Sequence, residues 1–275
     1  MKKLKFTSIL ALAIILLLSC SKDNNEITTI TGDYFPSTVD NYWNYNVVQK
    51  TTNPSSTLNL QDFLTVNSVS NSSFELEVNS GIGANGVMNT ILTSGTPNKT
   101  ASTLTLTGDL EVPFDGIEDL HINFSNAVLY DLNADKNAIL STYNGTFTQD
   151  FQGLPLTIIY ELSFNKIQNQ NSLKVNNKTY TNITGTSISL NLSITTTISV
   201  QGNNTTLPIL DTQDVLVVKS YYGENVGLLQ SESSLKVEFN AATLLTLQTL
   251  GINAEIPPSQ LTTNTQNLTT FFVAE

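Results

Sequence analysis

The sequence predicts an all-β protein: an extended, curved antiparallel meander sheet, closed partly into a barrel or folded as a two-layer sandwich, with at most one short helix. Three observations lead to this. Long runs after residue 40 alternate apolar and polar residues, short turn signals separate those runs, and helical periodicity is almost absent. An antiparallel meander needs only tight turns, whereas a parallel sheet needs crossovers that this chain does not supply.

The N-terminus comes first. Lys2, Lys3 and Lys5 precede an apolar stretch from Phe6 to Leu18, which has the length of a signal-peptide core and is short for a membrane span. Leu17, Leu18 and Ser19 ahead of Cys20 resemble a lipobox. Residues 1–19 are therefore expected to be a lipoprotein signal peptide and Cys20, the only cysteine, to carry the lipid that holds the chain in the outer membrane. One cysteine allows no internal disulfide, so an exported domain must be stable through its core and strand pairing. Residues 20–31, with "SKDNNE" at 21–26, read as the lipidated cysteine and a flexible polar tether. Residues 32–275 read as a single β-rich domain.

Within that domain 42–49, 57–69, 73–79 and 87–93 read as the first strands. In "STLTLTGDLEV" (102–112) Leu104, Leu106, Leu110 and Val112 share a face. After a strand at 139–149, "LPLTIIYELSFNKI" (154–167) repeats the pattern with Leu156, Ile158, Tyr160, Leu162 and Phe164. In "TSISLNLSITTTISV" (186–200) Ile188, Leu190, Leu192, Ile194, Ile198 and Val200 oppose a face of Ser, Asn and Thr. Runs at 213–222, 226–239 and 268–273 complete the series. Turn signals lie at "NSG" (79–81), "SGTPN" (94–98), "FDG" (114–116), "YNG" (143–145), "QGNN" (201–204) and "YYGEN" (221–225). The single helix candidate is "NAATLLTLQTLG" (240–251), ended by Gly251 and Pro257-Pro258. One-sided alternation in so many strands requires the sheet to bury one face on itself or on a filling.

"GDYFPSTVDNYWNYNV" (32–47), "NNKTYTNI" (176–183) and "KSYYGENVGLLQSE" (219–232) resemble segments of uncharacterised Bacteroidota-type surface lipoproteins, and "SKDNNE" after Cys20 resembles their surface-export tether. The resemblance implies an extended antiparallel β fold outside the cell and no particular activity. Independently, Trp43 and Tyr45 alternate onto one face and read as core anchors of the first strand. Gly223 and Gly227 read as turn geometry.

Composition narrows the function. Removing Lys2, Lys3 and Lys5 with the signal takes the formal net charge from −11 to −14, which argues against nucleic acid as a partner. Every basic residue is lysine, so no arginine fork is available for phosphate or carboxylate. Thr, Asn and Ser form about a third of the chain, which supplies hydroxyls and amides that can hydrogen-bond sugars, although genomic base bias produces the same asparagine excess and is the favoured explanation.

Four constellations bear on chemistry. Gly81, Gly83 and Gly86 in "GIGANG" have dinucleotide-fingerprint spacing, but "VMNTILTSG" after them reads as a strand where that motif needs a helix, so a hairpin loop is expected. Asp131, Asn133, Asp135 and Asn137 stand at the alternate positions from which a calcium loop draws oxygens, although Lys136 and Thr142 replace its glycine and glutamate; the bland reading is a polar turn. Asp109, Glu111, Asp115, Glu118 and Asp119 offer carboxylates for a cation or for glycoside hydrolysis across an apparent hairpin. His121, the only histidine, is expected to face solvent, and there is no G-x-S-x-G elbow to make it part of a serine triad.

The function expected is therefore a surface-exposed outer-membrane lipoprotein, non-catalytic and without a cofactor unless calcium binds at 131–137. It attaches to the membrane through Cys20 and uses its β domain for adhesion or binding of a glycan or protein partner. The alternatives are a lipid or acyl-chain carrier or envelope scaffold of lipocalin-like or LolA-like type, and then a carboxylate-dependent glycosidase.

Overall fold

The computed structural model describes residues 31–114, 117–151, 153–200, 202–252 and 258–274. The expected signal peptide, Cys20 and the tether up to residue 30 lie outside them. Among the described residues the strands are β1 (Tyr42–Thr52), β2 (Ser55–Ser70), β3 (Ser73–Val78), β4 (Gly95–Lys99), β5 (Thr103–Phe114), β6 (Ile117–Asp131), β7 (Ile139–Phe151), β8 (Leu154–Val175), β9 (Lys178–Val200), β10 (Asn203–Gly223), β11 (Gly227–Glu238) and β12 (Ser259–Phe272). They form one sheet in the order β6-β5-β4-β3-β2-β1-β12-β11-β10-β9-β8-β7, each ladder antiparallel. The sheet is an all-β meander nearly closed into a barrel, as the alternation predicts. First and last strands pair, Tyr42 opposite Phe272.

The gap in the wall falls between β6 and β7, which are consecutive in sequence yet share no ladder among the described residues. Side chains bridge it: Val128 N–H donates to Ser141 Oγ at 3.0 Å, and the Tyr143 hydroxyl donates to Ser125 O at 2.7 Å.

Most residues that the alternation turns inward are buried, although Tyr160 and Ile198 are half-buried and the side chain of Val200 lies outside the described residues. Leu104, Leu106, Leu110, Val112, Leu156, Ile158, Leu162, Phe164, Ile188, Leu190, Leu192 and Ile194 are all buried. Trp43 and Tyr45 are core anchors, with Trp43 Nε1–H donating to Val226 O at 2.5 Å and the Tyr45 hydroxyl to Leu228 O at 3.0 Å. Phe35 lies between Trp43 and Phe74, at centroid distances of 5.2 and 5.6 Å.

Three expectations are corrected. Residues 87–93 form a helix, α1 (Val87–Thr93), and with α2 (Ala241–Thr249) there are, among the described residues, two short helices and a 3-10 turn at Asn79–Gly81. Met88, Ile91 and Leu92 are the buried apolar residues of α1, a spacing of i, i+3 and i+4 that belongs to a helix face; the segment was short enough for its β-branched residues to suggest a strand. "SGTPN" contributes β4 rather than a turn. "YNG" lies inside β7, where Gly145 stands opposite Tyr160 and a Cβ would meet its ring at 2.6 Å, so the glycine makes room for an aromatic side chain rather than for a bend.

The strand directions define two poles. The β2–β3, β4–β5, β8–β9 and β10–β11 turns share one pole, and residues 31–33 enter there: Gly32 N–H donates to Ala101 O at 3.1 Å, and Asn225 N–H to Asp33 O at 2.6 Å. The β1–β2, β7–β8 and β9–β10 turns and α2 lie at the other pole. At roughly 3.3 Å per residue, the 23 residues of β9 trace about 75 Å of wall between them.

Candidate functional site

The short β3 and β4 leave the wall incomplete beside the upper half of β2, because β3 pairs with β2 only from Leu64 to Ser70. The chain from Asn79 to Thr93 fills that space, and one residue holds it there. Asp62 lies on the inward face of β2, 1 % exposed, between Leu60 and Leu64. Its Oδ1 accepts from Asn79 Nδ2 (2.9 Å), Asn85 N (2.8 Å) and Asn85 Nδ2 (3.0 Å); its Oδ2 accepts from Gly86 N (2.8 Å) and Asn89 Nδ2 (3.0 Å). None of the ion pairs among the described residues includes it. Five neutral donors replace a counter-ion.

The network continues to β12, where Gln266 Nε2 donates to Asn89 Oδ1 at 2.8 Å and Asn264 Nδ2 donates to Asn85 O at 3.0 Å. Gly86 is required because a Cβ there would lie 2.0 Å from Gln266 Oε1. "GIGANG" thus does stand between a strand and a helix, but the amides of Asn85 and Gly86 are taken by the chain's own carboxylate and present no open cradle to a phosphate. Sequence reasoning missed Asp62. Its signal was an acid at the i+2 position of an apolar face running Leu60, Asp62, Leu64, Val66.

Helix α1 forms one wall of a cleft of about 620 Å³ at the pole remote from residue 31. The β1–β2 hairpin contributes Gln49, Thr51, Asn53 and Pro54; α1 contributes Val87, Thr90 and Ile91; β5 contributes Leu110, Glu111 and Val112; β10 and β11 contribute Leu216, Ser233 and Leu235; β12 contributes Gln260, Leu261, Thr262 and Asn264. The volume lies within the ~300–1,000 Å³ of small-molecule sites. Glu111 alone among these carries a charge, and it belongs to the exposed face of β5, opposite His121 in the ladder. The cleft offers apolar contact and neutral hydrogen bonds. At the opposite pole a depression of about 570 Å³ is lined by polar residues around the Lys99–Asp33 ion pair, 3.0 Å.

On the outer wall three rings form a row: Tyr42 lies 5.5 Å from Phe63 and 5.9 Å from Phe272 between centroids. Phe63 and Phe272 are 40 % and 50 % exposed. Asn44 Nδ2 donates to Thr270 Oγ1 beside them at 2.9 Å.

The four candidate calcium residues share the connection from β6 to β7. Asp131 Oδ1 accepts from Asn133 N at 2.9 Å, Asp135 O accepts from Ala138 N at 3.1 Å, and Asn137 adopts a φ of 66° while its N–H donates to Lys166 O at 2.9 Å. Lys166, 2 % exposed on the inner face of β8, donates from Nζ to Thr184 Oγ1. Burial pushes its ammonium down to about 8, and the Asp131 carboxylate opposes that shift. Among the described residues no group of three or more His, Cys, Asp or Glu side chains gathers to hold a metal.

Of the second acidic group, Asp109 faces His121 Nδ1 at 3.8 Å on the exposed surface, the imidazole side chain being 57 % accessible. Asp115 lies outside the described residues, as do the side chains of Glu118 and Asp119. No family model, curated protein or solved structure matches the chain, so the site rests on its own geometry.

Proposed function

We propose that this chain is an outer-membrane lipoprotein, anchored through Cys20 and exposed at the cell surface, whose β domain binds a ligand in the distal cleft and does not catalyse. The observation that carries the reading is the placement of the cleft. Its apolar walls open at the pole opposite residues 31–33, so a tether leading to Cys20 would hold the cleft away from the membrane. A cleft bounded by leucines and a packed helix favours a ligand with an apolar part, which brings the acyl-chain carrier alternative ahead of a flat protein-binding surface.

Three measurements test it. Protease added to intact cells should cleave the domain while a periplasmic marker survives, and Cys20→Ala should release the protein from the membrane fraction; protection until the outer membrane is opened would overturn the surface assignment. Native mass spectrometry of protein extracted from membranes should show a bound mass that Leu235→Arg removes. The same spectrum for both proteins would overturn the cleft.

A second reading is supported by the row of Tyr42, Phe63 and Phe272, since exposed rings flanked by amides and hydroxyls suit the apolar face of a sugar. Glycan adhesion on the outer wall predicts that Phe63→Ala and Phe272→Ala abolish pull-down on insoluble polysaccharide without lowering the melting temperature. Retained pull-down would remove it.

A further inference from the structure

We infer that the ligand of the distal cleft is an uncharged amphiphile, with an apolar body against Val87, Ile91, Leu110, Leu216 and Leu235 and a head of hydroxyl, ester or amide groups at the rim. The inference rests on the cleft reading above and deepens it by naming the ligand's chemistry.

Charge is the deciding property. Among the described residues no lysine or histidine lines the cleft. The two lysines nearest to it in sequence turn the other way: Lys50 is exposed on the outward face of β1, and Lys236 extends to Glu238 at 2.8 Å. An acid head, whether carboxylate or phosphate, would enter without a counter-ion. It would also join a chain whose formal net charge is −14 once the signal is removed.

A cation is no better served. Glu111 alternates outward with the exposed face of β5, and Asp62 already accepts five hydrogen bonds behind α1. Apart from Glu111, the described residues that line the cleft are neutral: Ser233 is 9 % exposed, Asn264 is 4 % exposed and commits its amide N–H to Asn85 O, and Gln49, Thr51, Asn53, Thr90, Gln260 and Thr262 form the polar rim. These groups donate to and accept from an ester, amide or hydroxyl head without burying an unpaired charge.

The test compares two probes with the same twelve-carbon chain, 1-monolauroylglycerol and laurate, by calorimetric titration of the full-length protein at pH 8 below their aggregation concentrations. Wild type should bind the monoglyceride at least tenfold more tightly than the ionised acid. Gln260→Lys and Thr90→Lys, at rim positions that are half-buried and exposed respectively, should each raise laurate affinity at least tenfold relative to the monoglyceride while circular dichroism stays unchanged.

Equal binding of the two probes by wild type, or an unchanged ratio in both lysine variants, overturns the uncharged-ligand inference. If Leu235→Arg still abolishes that binding, the cleft reading stands without it. Binding of neither probe overturns both.

Discussion

Replacing Asp62 by asparagine preserves the shape of the side chain but turns one of its two acceptor oxygens into a donor. Oδ1 now receives three hydrogen bonds and Oδ2 two, all within 2.8–3.0 Å. Whichever way the amide is set, at least two buried donors face an N–H. Each hydrogen bond to a charged acceptor contributes about 1.5–3 kcal/mol, so the loss of two costs about 3–6 kcal/mol. That is a large part of the ~5–15 kcal/mol by which domains are stable. Urea unfolding followed by far-ultraviolet circular dichroism should show a lower midpoint for Asp62→Asn with an unchanged slope. Asp62→Leu, which removes the acceptor of all five hydrogen bonds and leaves Asn85 N, Gly86 N and Asn89 Nδ2 without another, should be worse. A loss below about 1 kcal/mol in both variants would refute the claim that this carboxylate secures the 79–93 segment.

Gly86→Ala should lower stability by about 1–3 kcal/mol, since its Cβ would fall 2.0 Å from Gln266 Oε1, an atom held in a fully buried side chain; a melting temperature equal to wild type would contradict this packing. The alkaline limb provides a third test. Burial raises the Tyr45, Tyr130 and Tyr222 phenols above the usual 10.0, so the folded state holds protons that the unfolded state gives up. Their contribution is intact below pH 10 and is lost as the pH rises beyond it. Absorbance at 295 nm should show these phenols ionising together with unfolding, and titration of all nine tyrosines near pH 10 with the circular dichroism intact would refute it. For calcium, the reading of Asp131, Asn133, Asp135 and Asn137 as ligands predicts a rise in melting temperature in excess calcium that Asp135→Asn removes. An unchanged melting temperature eliminates that site.

The legible part of this fold was the part governed by local alternation. A residue such as Leu190 announces its inward face through its neighbours at 188 and 192, and the same holds along β5, β8 and β9. What one strand says about itself does not determine how the sheet ends meet. Barrel and sandwich share the same alternation, and the choice rests on the pairing of Tyr42 with Phe272, residues 230 positions apart. The helix at Val87–Thr93 was misread because seven residues hold barely two turns, too few for a 3.6-residue period to stand out from one of two. Asp62 was overlooked for a different reason. An acid on an apolar face looks like noise until its partners are known, and these come from residues 17–27 positions away. The cleft was not legible at all, since β1, β5, β11 and β12 meet there only after closure.

The unpaired seam between β6 and β7 divides the chain into two runs of six consecutive strands, β1–β6 and β7–β12, which among the described residues share a backbone ladder only between β1 and β12. The molecule is thus bound like a book: a spine of paired terminal strands, two covers, and a fore-edge held by Ser141 and Tyr143. Severing the backbone in the turn at 132–138 would break no ladder. Two separately produced halves, each a continuous meander, would carry between them the two strands, β1 and β12, that pair along that spine.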